Sequence, residues 1–538
     1  EIDEFGRIYV VENPAYPLDV EGKLGRVKLL LDTDDDGRPD YSTVFADGLT
    51  MPTGVMRWKK GILVTDAPNV WYFEDSDGDN KADVRRVVLT GFAFSNPQHT
   101  VSNPILGPDN WVYLASERPV ETHIFPEEFG DKGRDIHFPD RTDISAVAPR
   151  GRSIRFRPDT YQLETLSSTS QFGHTFDDWG HYFTIGSGGN GYHEVIAARY
   201  LERNPDLYLS STRQLLSLYT EVFPITERPE HLLLTYPGRI TSACGITLYR
   251  GGAFPAPYGN VTFLAEPQHN LILTNVLTPS GATFEAERLR KGKDFLVSKD
   301  AWFRPVNFYI GPDGALYVLD YYRRVLEHAE WTPREVYESA AAYQGNEQGR
   351  IYRIVPDANP PALVPDLALG QASDEELVKH LENPNIWWRM TAQRLLIDRH
   401  SSDTGQMLTQ LFRDTESGAA RVHVPDRRPP VLPHQQRRRF PAGDGFPRRP
   451  RRDRPDARRL GPLPRGGPAP GARDRRCDER GTRARAPARD AGGWHAARPR
   501  GCDPGAADPR GAAPDRDAAA DVQPRGPRSA PRYVGAAG

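Results

Sequence analysis

The sequence predicts an all-β fold, a six-bladed β-propeller, followed by a short α-helical segment and a disordered tail. A phrase made of a glycine-led turn and a short apolar strand recurs about six times along the chain. The spacings are roughly 50–80 residues, longer than the roughly 40–50 residues of compact propeller blades, so some blades must carry insertions. Short apolar runs rich in strand formers are expected of strands buried on both faces.

The clearest phrase begins with the tetrapeptide Gly311–Gly314, of sequence GPDG, and continues as the apolar run Ala315–Leu319. In such a turn proline presets φ, aspartate bonds back to its own backbone, and Gly314 accepts a positive φ. We predict that each phrase forms an inner strand beside the central channel, with its polar end at the channel mouth. The other copies are GRIYVVE (6–12), GILVTD (61–66), GPDNWVYLAS (107–116), GHYFTIGS (180–187) and GNVTFLAE (259–266).

Changes of composition and period divide the 538 residues into four parts. Residues 1–356 carry the strand phrases, and residues 357–372 form a proline-rich linker. Residues 373–423 place leucines at helical spacing, with Ser373 or Asp374 as the first helix cap, and resemble the start of HEAT-like repeats. Residues 424–538 are rich in Arg, Pro, Ala and Gly and are predicted to be disordered. They are either a basic tail or, as we favour, the product of a frameshift.

Charge and cysteine content exclude several function classes. Residues 421–538 contain 28 Arg and 13 acidic residues, whereas the whole chain has a net charge of −3, so the propeller part is strongly acidic. An acidic propeller argues against nucleic acid as partner. The three cysteines suggest no disulfide framework, and no C-x-x-C-H haem motif or membrane-length apolar run occurs. The chain starts at Glu1 without a signal peptide, so its compartment must be inferred otherwise.

Two acidic loops are candidate calcium sites. The segments 32–40 (DTDDDGRPD) and 75–83 (DSDGDNKAD) both place carboxylates at loop positions 1, 3, 5 and 9. Clustered hard oxygen ligands suit Ca²⁺, although neither loop has the Glu at position 12 that an EF-hand uses. The alternative is a pair of solvated hairpin turns. The predicted metal ligands are Asp32, Asp34, Asp36, Asp40, Asp75, Asp77, Asp79 and Asp83.

His99 is the candidate catalytic residue. It lies in a loop about eight residues before a turn-strand phrase, which on propeller geometry places an imidazole near the channel mouth, where a general base would act. The alternative is a solvated or hydrogen-bonded loop histidine. A third hypothesis combines His99 with His174, His269 and His328 as a metal cluster on the channel axis.

Several longer motifs carry a family resemblance over residues 1–423. They include the two acidic loops, TSACGITLYRGGAFP (241–255), DAWFRPVNFYIGPDGALYVLDYYRRVLEH (300–328) and GRIYRIVP (349–356). The chain resembles the planctomycete-type family of membrane-bound dehydrogenases, whose full-length members join a propeller, HEAT-like repeats and a c-type cytochrome domain with C-x-x-C-H. The propeller also resembles the sorbosone and soluble glucose dehydrogenases, which hold pyrroloquinoline quinone (PQQ) over the channel.

The resemblance implies residue roles. The enzymes that it names carry a histidine shortly before a G-P-D-G-x-L-Y phrase as the hydride-abstracting base, and His99 before GPDNWVY matches that position. Asn110 replaces the glycine of the motif. The quinone of those enzymes is held by cationic side chains, for which Arg304 and Arg323 are candidates, with His269 as a further cofactor-binding candidate.

Two hypotheses of function follow. The first is an extracytoplasmic quinoprotein-type dehydrogenase that oxidises a sugar or polyol with PQQ and Ca²⁺, and passes electrons to a c-type haem domain or cytochrome outside this chain. The second is a non-catalytic propeller and solenoid scaffold that binds a polysaccharide or a protein.

Overall fold

The computed structural model describes residues 1–424, except 37, 205, 207, 208, 210 and 228–235. The predictions of a disordered tail and of a frameshift lie outside the described residues, apart from Val424. The strands of the described part form six antiparallel sheets, taken here as blades 1 to 6 in chain order. The six-bladed β-propeller predicted from the sequence is therefore confirmed.

The blades follow one another along the chain, and within each blade consecutive strands are neighbours, except that the last short strand of blade 5 pairs with the third. Blades 1 to 3 contain β1 (Ile8–Glu12), β2 (Gly25–Leu31), β3 (Tyr41–Leu49); β4 (Gly54–Trp58), β5 (Gly61–Asp66), β6 (Asn69–Glu74), β7 (Val84–Thr90); and β8 (Ser102–Leu106), β9 (Val112–Ala115), β10 (Ile154–Arg157), β11 (Gln162–Thr165). Blades 4 to 6 contain β12 (His174–Phe176), β13 (Tyr182–Thr184), β14 (Tyr192–Glu194), β15 (Arg213–Leu215); β16 (Cys244–Leu248), β17 (Val261–Glu266), β18 (Leu271–Ser280), β19 (Thr283–Arg288), β20 (Leu296–Val297); and β21 (Pro305–Ile310), β22 (Leu316–Asp320), β23 (Arg350–Ile354).

The recurrent phrases form the second strand of each blade, not the innermost strand as the sequence analysis predicted. The first strands β4 and β8, β12 and β16, and β16 and β21 contact one another between neighbouring blades, which places them at the channel. In blade 1 this position is taken by the N-terminal residues, because Ile2 bridges to Ile8. The prediction failed because first and second strands are both buried, so an apolar run does not distinguish them.

The GPDG turn has the conformation that the sequence predicted. Gly314 donates its N–H to the Gly311 carbonyl at 2.9 Å and has φ of +79°. A Cβ at Gly314 would lie 2.5 Å from the Gly251 carbonyl oxygen, so glycine is required by both the backbone and the neighbouring loop. Asn110, which occupies the same place in blade 3, also has a positive φ, of 65°.

The antiparallel order gives the propeller two distinct ends. Connections between first and second strands, and between third and fourth strands, emerge at one end, and all the others emerge at the opposite end. The connection that carries His99, between β7 and β8, is at the second of these, named here the His99 end. The first is named the helix end, because the C-terminal helices lie there.

Four helices follow the propeller: α4 (Asp374–His380), α5 (Ile386–Arg399), α6 (Thr404–Asp414) and α7 (Gly418–His423). Ser373 caps α4 through a capping box with Glu376, which confirms one of the two predicted caps. Apolar side chains between these helices form their own core, which includes Leu377, Leu381 and Leu396. Three single-turn helices lie in blade connections: α1 (Pro126–Phe129), α2 (Ala198–Leu201) and α3 (Arg334–Tyr337).

Helix α5 and the residues before it lie across the helix end and hydrogen-bond to five of the six blades. The bonds run from Trp387 Nε1 to the Ile2 carbonyl (3.1 Å), Gln393 Nε2 to the Pro108 carbonyl (3.2 Å), Arg389 to Asp178, Ile386 N to the Arg250 carbonyl (2.9 Å) and Asn385 Nδ2 to the Gly311 carbonyl (2.8 Å). All five partners lie in or beside a connection between first and second strands. The helix therefore covers this end of the channel.

Candidate active site

A cavity of about 1290 Å³ opens at the His99 end and continues along the groove between blades 1 and 6. Its wall near His99 is made of connections that come from blades distant in sequence, including Gln171, Ser242 and Glu327. These residues come together because the propeller brings every connection of one end to the same rim. The cavity is large enough for a drug-sized ligand.

His99 is held at this cavity by a short 3₁₀ turn, Pro97–His99, in which Gln98 donates its N–H to the Asn96 side chain at 2.8 Å. Its Nδ1 lies 2.5 Å from Oε1 of Glu117, which follows strand β9 of the next blade. A carboxylate at Nδ1 fixes the tautomer in which Nε2 carries the lone pair, and it stabilises the imidazolium after proton uptake. His99 is thus oriented as a base towards the cavity.

Gln171 positions its amide beside Nε2, the second nitrogen of this imidazole. Its Oε1 accepts the N–H of Ser187 at 2.8 Å, which turns its Nε2 towards His99 Nε2 at 3.4 Å. The side chain of His99 keeps 22 % of its surface exposed. A ligand hydroxyl entering the cavity can therefore reach Nε2.

Two buried carboxyl groups of blade 6 line the same cavity. Burial raises the pKa of Asp320 to about 6, although its carboxyl accepts bonds from the N–H groups of Arg304 and Tyr322. Burial raises the pKa of Glu327 to about 7, against the opposing effects of Arg304 and His99. Carboxyls with such values exchange protons close to neutral pH.

The two arginines that the resemblance offers for a quinone are occupied by the protein itself. Arg304 is 1 % exposed and donates to the carbonyls of Pro267 (2.7 Å), Arg323 (3.1 Å) and Arg324 (2.9 Å). It holds two connections of the rim together and does not line the cavity.

Arg323 lines the cavity but is also engaged. Its Nη2 donates to the Asn13 carbonyl at 2.9 Å, and its guanidinium lies 4.8 Å from the Tyr321 ring centroid. The nearby cavity wall carries Glu327 and Asp320, whose charge opposes an anionic cofactor. The residues present therefore do not fit a quinone that is held by Arg304 and Arg323.

His269, the third candidate for cofactor binding, lies behind the cavity wall. It is 3 % exposed, and its Nδ1 lies 3.0 Å from Oε2 of Glu266. Although burial opposes it, the hydrogen bond with His269 helps to lower the pKa of Glu266. Glu266 also accepts hydrogen bonds from the N–H groups of Thr241 and Ser242. Together these contacts fix the rim of blade 5.

The structure does not bring the four histidines of the metal-cluster hypothesis together. His174 binds the Tyr182 hydroxyl and the Asn103 carbonyl, both at 2.6 Å, and it lines a separate cavity of about 210 Å³ at the helix end. His328 packs its ring against Phe129. In the described part of the chain, the only groups of three or more potential ligands within reach of one ion are aspartates of the acidic loops. The histidine cluster is therefore wrong.

The two acidic loops occupy equivalent positions in blades 1 and 2. The second loop joins the third and fourth strands of blade 2, and the first loop does the same in blade 1 when the N-terminal segment is counted as its first strand. The carboxylates of Asp32, Asp34 and Asp36 lie within 4.8 Å of one another, and so do those of Asp75, Asp77 and Asp79. The last aspartate of each loop instead closes the turn: Thr33 Oγ1 donates to Asp40 at 2.6 Å, and Ser76 Oγ donates to Asp83 at 2.5 Å.

This arrangement assigns different tasks to the eight predicted metal ligands. In each loop, one oxygen from each of three aspartates lies close enough to the others to contact a single hard cation such as Ca²⁺. Hydrogen bonds from Thr33 lower the pKa of Asp40, and those from Ser76 lower the pKa of Asp83. The loops emerge at the helix end, so a cation there would brace hairpins. Asp32, Asp36 and Asp40 of the first loop line the far part of the cavity that contains His99.

The model of one protein family matches the propeller. This family is described as a domain of unknown function, DUF7133, and the match spans residues 1–358. The chain belongs to the DUF7133 family. A search of curated proteins found no match. No helix in the described part of this DUF7133 protein is both long and apolar enough to cross a membrane.

Solved structures similar to this DUF7133 protein include sugar dehydrogenases. A glucose dehydrogenase is 15% identical, with 55% of this chain and 90% of that chain covered and a TM-score of 0.31. The holo form of a pyranose dehydrogenase PQQ domain from Coprinopsis cinerea is 13% identical (59% and 88% covered, TM-score 0.31). A calcium structure of a Trichoderma reesei carbohydrate-active enzyme of family AA12 is also 13% identical (59% and 88%, 0.32). Scores this low carry no conclusion about activity.

Sequence reasoning placed His99 at the channel but missed Glu117, Gln171 and Glu327. Glu117 had a usable signal, because it follows directly on the buried run Val112–Ser116 and therefore starts a rim connection. Glu327 directly follows the apolar pair Val325 and Leu326, which indicates a partly buried segment. Gln171 had no signal that distinguishes it from any other loop amide.

Proposed function

We propose that the protein is an enzyme of the dehydrogenase type, which oxidises a hydroxyl group of a sugar or polyol at the His99 end of the channel. The observation that carries this proposal is the His99–Glu117 pair at 2.5 Å on the wall of a cavity that can hold a small ligand. Oxidation of an alcohol needs a base for the hydroxyl proton, and an imidazole oriented by a carboxylate is such a base.

His99 Nε2 accepts the hydroxyl proton of the substrate, and Glu117 stabilises the imidazolium that results. Gln171 limits the rotation of the imidazole and offers a hydrogen bond to the substrate oxygen. The hydride that leaves carbon must pass to a redox partner. The motif resemblance implies PQQ with Ca²⁺ as this partner, a c-type cytochrome as the next acceptor and an extracytoplasmic location. No step is assigned to a quinone here, because Arg304 and Arg323 are engaged by main-chain carbonyls.

The test is reduction of an artificial electron acceptor by the full chain with PQQ, Ca²⁺ and a panel of sugars and polyols. We expect reduction by the wild type, a loss of at least 100-fold in His99→Gln, and no change in His123→Gln, an exposed histidine used as control. A wild type that reduces the acceptor with no member of the panel would remove the enzyme proposal.

The second candidate is a non-catalytic propeller that binds a carbohydrate or a protein. The engagement of Arg304 and Arg323 by main-chain carbonyls favours it, because the two arginines that the resemblance offers for a quinone already bind the protein itself. Saturable binding of a sugar without any turnover, in the presence of PQQ and Ca²⁺, would support this candidate over the first.

A further inference from the structure

Glu327 is a buried carboxyl that faces the cavity without a partner. It lies in the connection between β22 and β23, is 8 % exposed and lines the same cavity as His99. Its backbone carbonyl accepts a bond from Thr332. Within the described residues its side-chain carboxyl makes neither a hydrogen bond nor an ion pair, unlike Glu266 and Asp320 beside it.

An unpartnered buried carboxyl is costly, and folded proteins satisfy nearly all such groups with protein atoms, water or a ligand. The charged groups that act on Glu327 are Arg304 and His99, which favour its ionised form, and Glu266, which disfavours it. Neither cation forms an ion pair with Glu327. The described protein groups leave Glu327 unsatisfied, so its partner is a water or a ligand in the cavity.

We infer that Glu327 is the carboxylate that binds the ligand in this cavity, and that it accepts hydrogen bonds from neighbouring hydroxyl groups of a neutral sugar or polyol. A carboxylate has two oxygens that can each accept from a separate hydroxyl, and such charge-assisted bonds are stronger than neutral ones. Asp320 on the same wall disfavours an anionic ligand, and Arg323 disfavours a cationic one. The inference rests on the proposed function for the ligand class, but it concerns binding and not turnover.

Protonation of Glu327 is expected to control this binding. Burial raises the pKa of Glu327 to about 7, so the carboxylate is replaced by a weaker, partly donating carboxylic acid as the pH falls from 8 to 6. Affinity for a neutral polyol should therefore fall over this range. His99 faces the same cavity, so its contribution to the pH dependence has to be separated by a variant.

Calorimetric titration of the full chain with glucose, sorbitol, glucosamine and gluconate tests the inference. At pH 8 we expect glucose or sorbitol to bind the wild type, and Glu327→Gln to bind it roughly tenfold more weakly, because a neutral amide replaces the charged acceptor. Glu335→Gln, an exposed glutamate outside the cavity, is the control and should bind as the wild type does. Whatever binding remains in His99→Gln should still fall towards pH 6, whereas Glu327→Gln should lose that fall.

Each of four results would overturn the inference. Two concern Glu327→Gln: an affinity equal to that of the wild type, or an unchanged pH dependence. The other two are binding of glucosamine or gluconate alone, and no binding of any member of the panel. An unfolding temperature of Glu327→Gln at or above the wild-type value shows that the variant is folded. The inference and the proposed function can fail independently. If binding depends on Glu327 but no acceptor is reduced, the enzyme proposal fails and the inference stands. If the acceptor is reduced but Glu327→Gln binds as the wild type does, the inference fails and the enzyme proposal stands.

Discussion

The short contact between Glu117 and His99 makes Glu117 a positioning residue for the proposed base. Replacing Glu117 by Gln keeps the shape but removes the charge that stabilises the imidazolium. We expect kcat to fall roughly 10- to 100-fold with little change in KM, because the charge matters only after proton uptake.

Steady-state kinetics of Glu117→Gln on a substrate found in the panel would measure this effect. Glu121→Gln is a suitable control, because the Glu121 side chain is 80 % exposed and lies on the same connection. An unchanged kcat in Glu117→Gln would show that His99 does not depend on this carboxylate.

The raised pKa of Glu327 also predicts a pH-dependent stability. Between its ordinary value of 4.5 and about 7, the folded protein keeps a proton that the unfolded chain has released, so the free energy of unfolding decreases as the pH rises through this window. Glu327→Gln removes the ionisable group, so the variant does not lose stability as the pH rises. We expect the variant to be about 1–3 kcal/mol more stable than the wild type at pH 8, and nearly equal to it at pH 5.

Urea unfolding at the two pH values checks this prediction. The same difference at pH 5 and pH 8 would show that the effect comes from packing and not from the ionisation of Glu327. Glu335→Gln is again the control, since an exposed carboxyl carries no such burial cost.

For single residues, the sequence predicted positions in the fold better than it predicted hydrogen-bond partners. The place of His99 at the channel was predicted from its distance to the phrase at Gly107, and in the structure His99 lines the large cavity; its catalytic role stays a prediction. Arg304 has the residue type that binds an anionic cofactor, but folding directs its donors to main-chain carbonyls. Only the three-dimensional arrangement shows which polar groups are already satisfied.

Among the elements, the acidic loops differ from ordinary hairpin turns in bringing three carboxylates close together. If they bind Ca²⁺, the cation stabilises the folded state; at a concentration 100 times Kd this amounts to about 2.7 kcal/mol. We expect millimolar Ca²⁺ to raise the unfolding temperature of the full chain by a few degrees, and a chelator to reverse the rise.

The double variants Asp34→Asn/Asp36→Asn and Asp77→Asn/Asp79→Asn should each lose part of this shift. A matched control is Asp19→Asn, which changes an exposed turn carboxylate outside both loops. No response of the wild type to Ca²⁺ would favour the solvated-turn interpretation of these loops.

Helix α5 is the element that the sequence described least well. Its leucine spacing predicted a helix, but its buried face includes Arg389, Gln393 and Arg394 as well as apolar side chains. These polar residues are buried because they bind residues of the propeller. A prediction from apolar periodicity assigns such polar positions to the solvent-facing side of a helix. The HEAT-like interpretation of this segment stays a prediction.

Trp387 anchors this helix to the first residues of the chain. It is 8 % exposed and donates its indole N–H to the Ile2 carbonyl at 3.1 Å. We expect Trp387→Ala to lower the free energy of unfolding by about 3–5 kcal/mol, through the cavity and the unsatisfied carbonyl that it leaves. Denaturant unfolding measures this loss. Trp179→Ala, at a tryptophan that is 65 % exposed, should change stability far less, and equal effects would contradict the anchoring role.

In the whole molecule, blades 1 and 6 meet without exchanging a strand. Each has three strands among the described residues, and the large cavity runs along the groove between them. The helices join the two: Trp387 and Arg394 bind the N-terminal segment through Ile2 and Glu4, while Asn385 binds the GPDG turn of blade 6. The repeat count could be read from the sequence, but this closure depends on contacts between the two ends of the described chain, which no local pattern encodes.

Helix α5 covers the helix end at the centre of the ring, but the cavity at His99 continues along the groove between blades 1 and 6 to the GPDG turn and the acidic loop of blade 1. A ligand at His99 therefore borders a long side groove and not an axial pore. In an enzyme built on this plan, a product that stays in the groove would compete with fresh substrate, and turnover would depend on how quickly the groove is vacated.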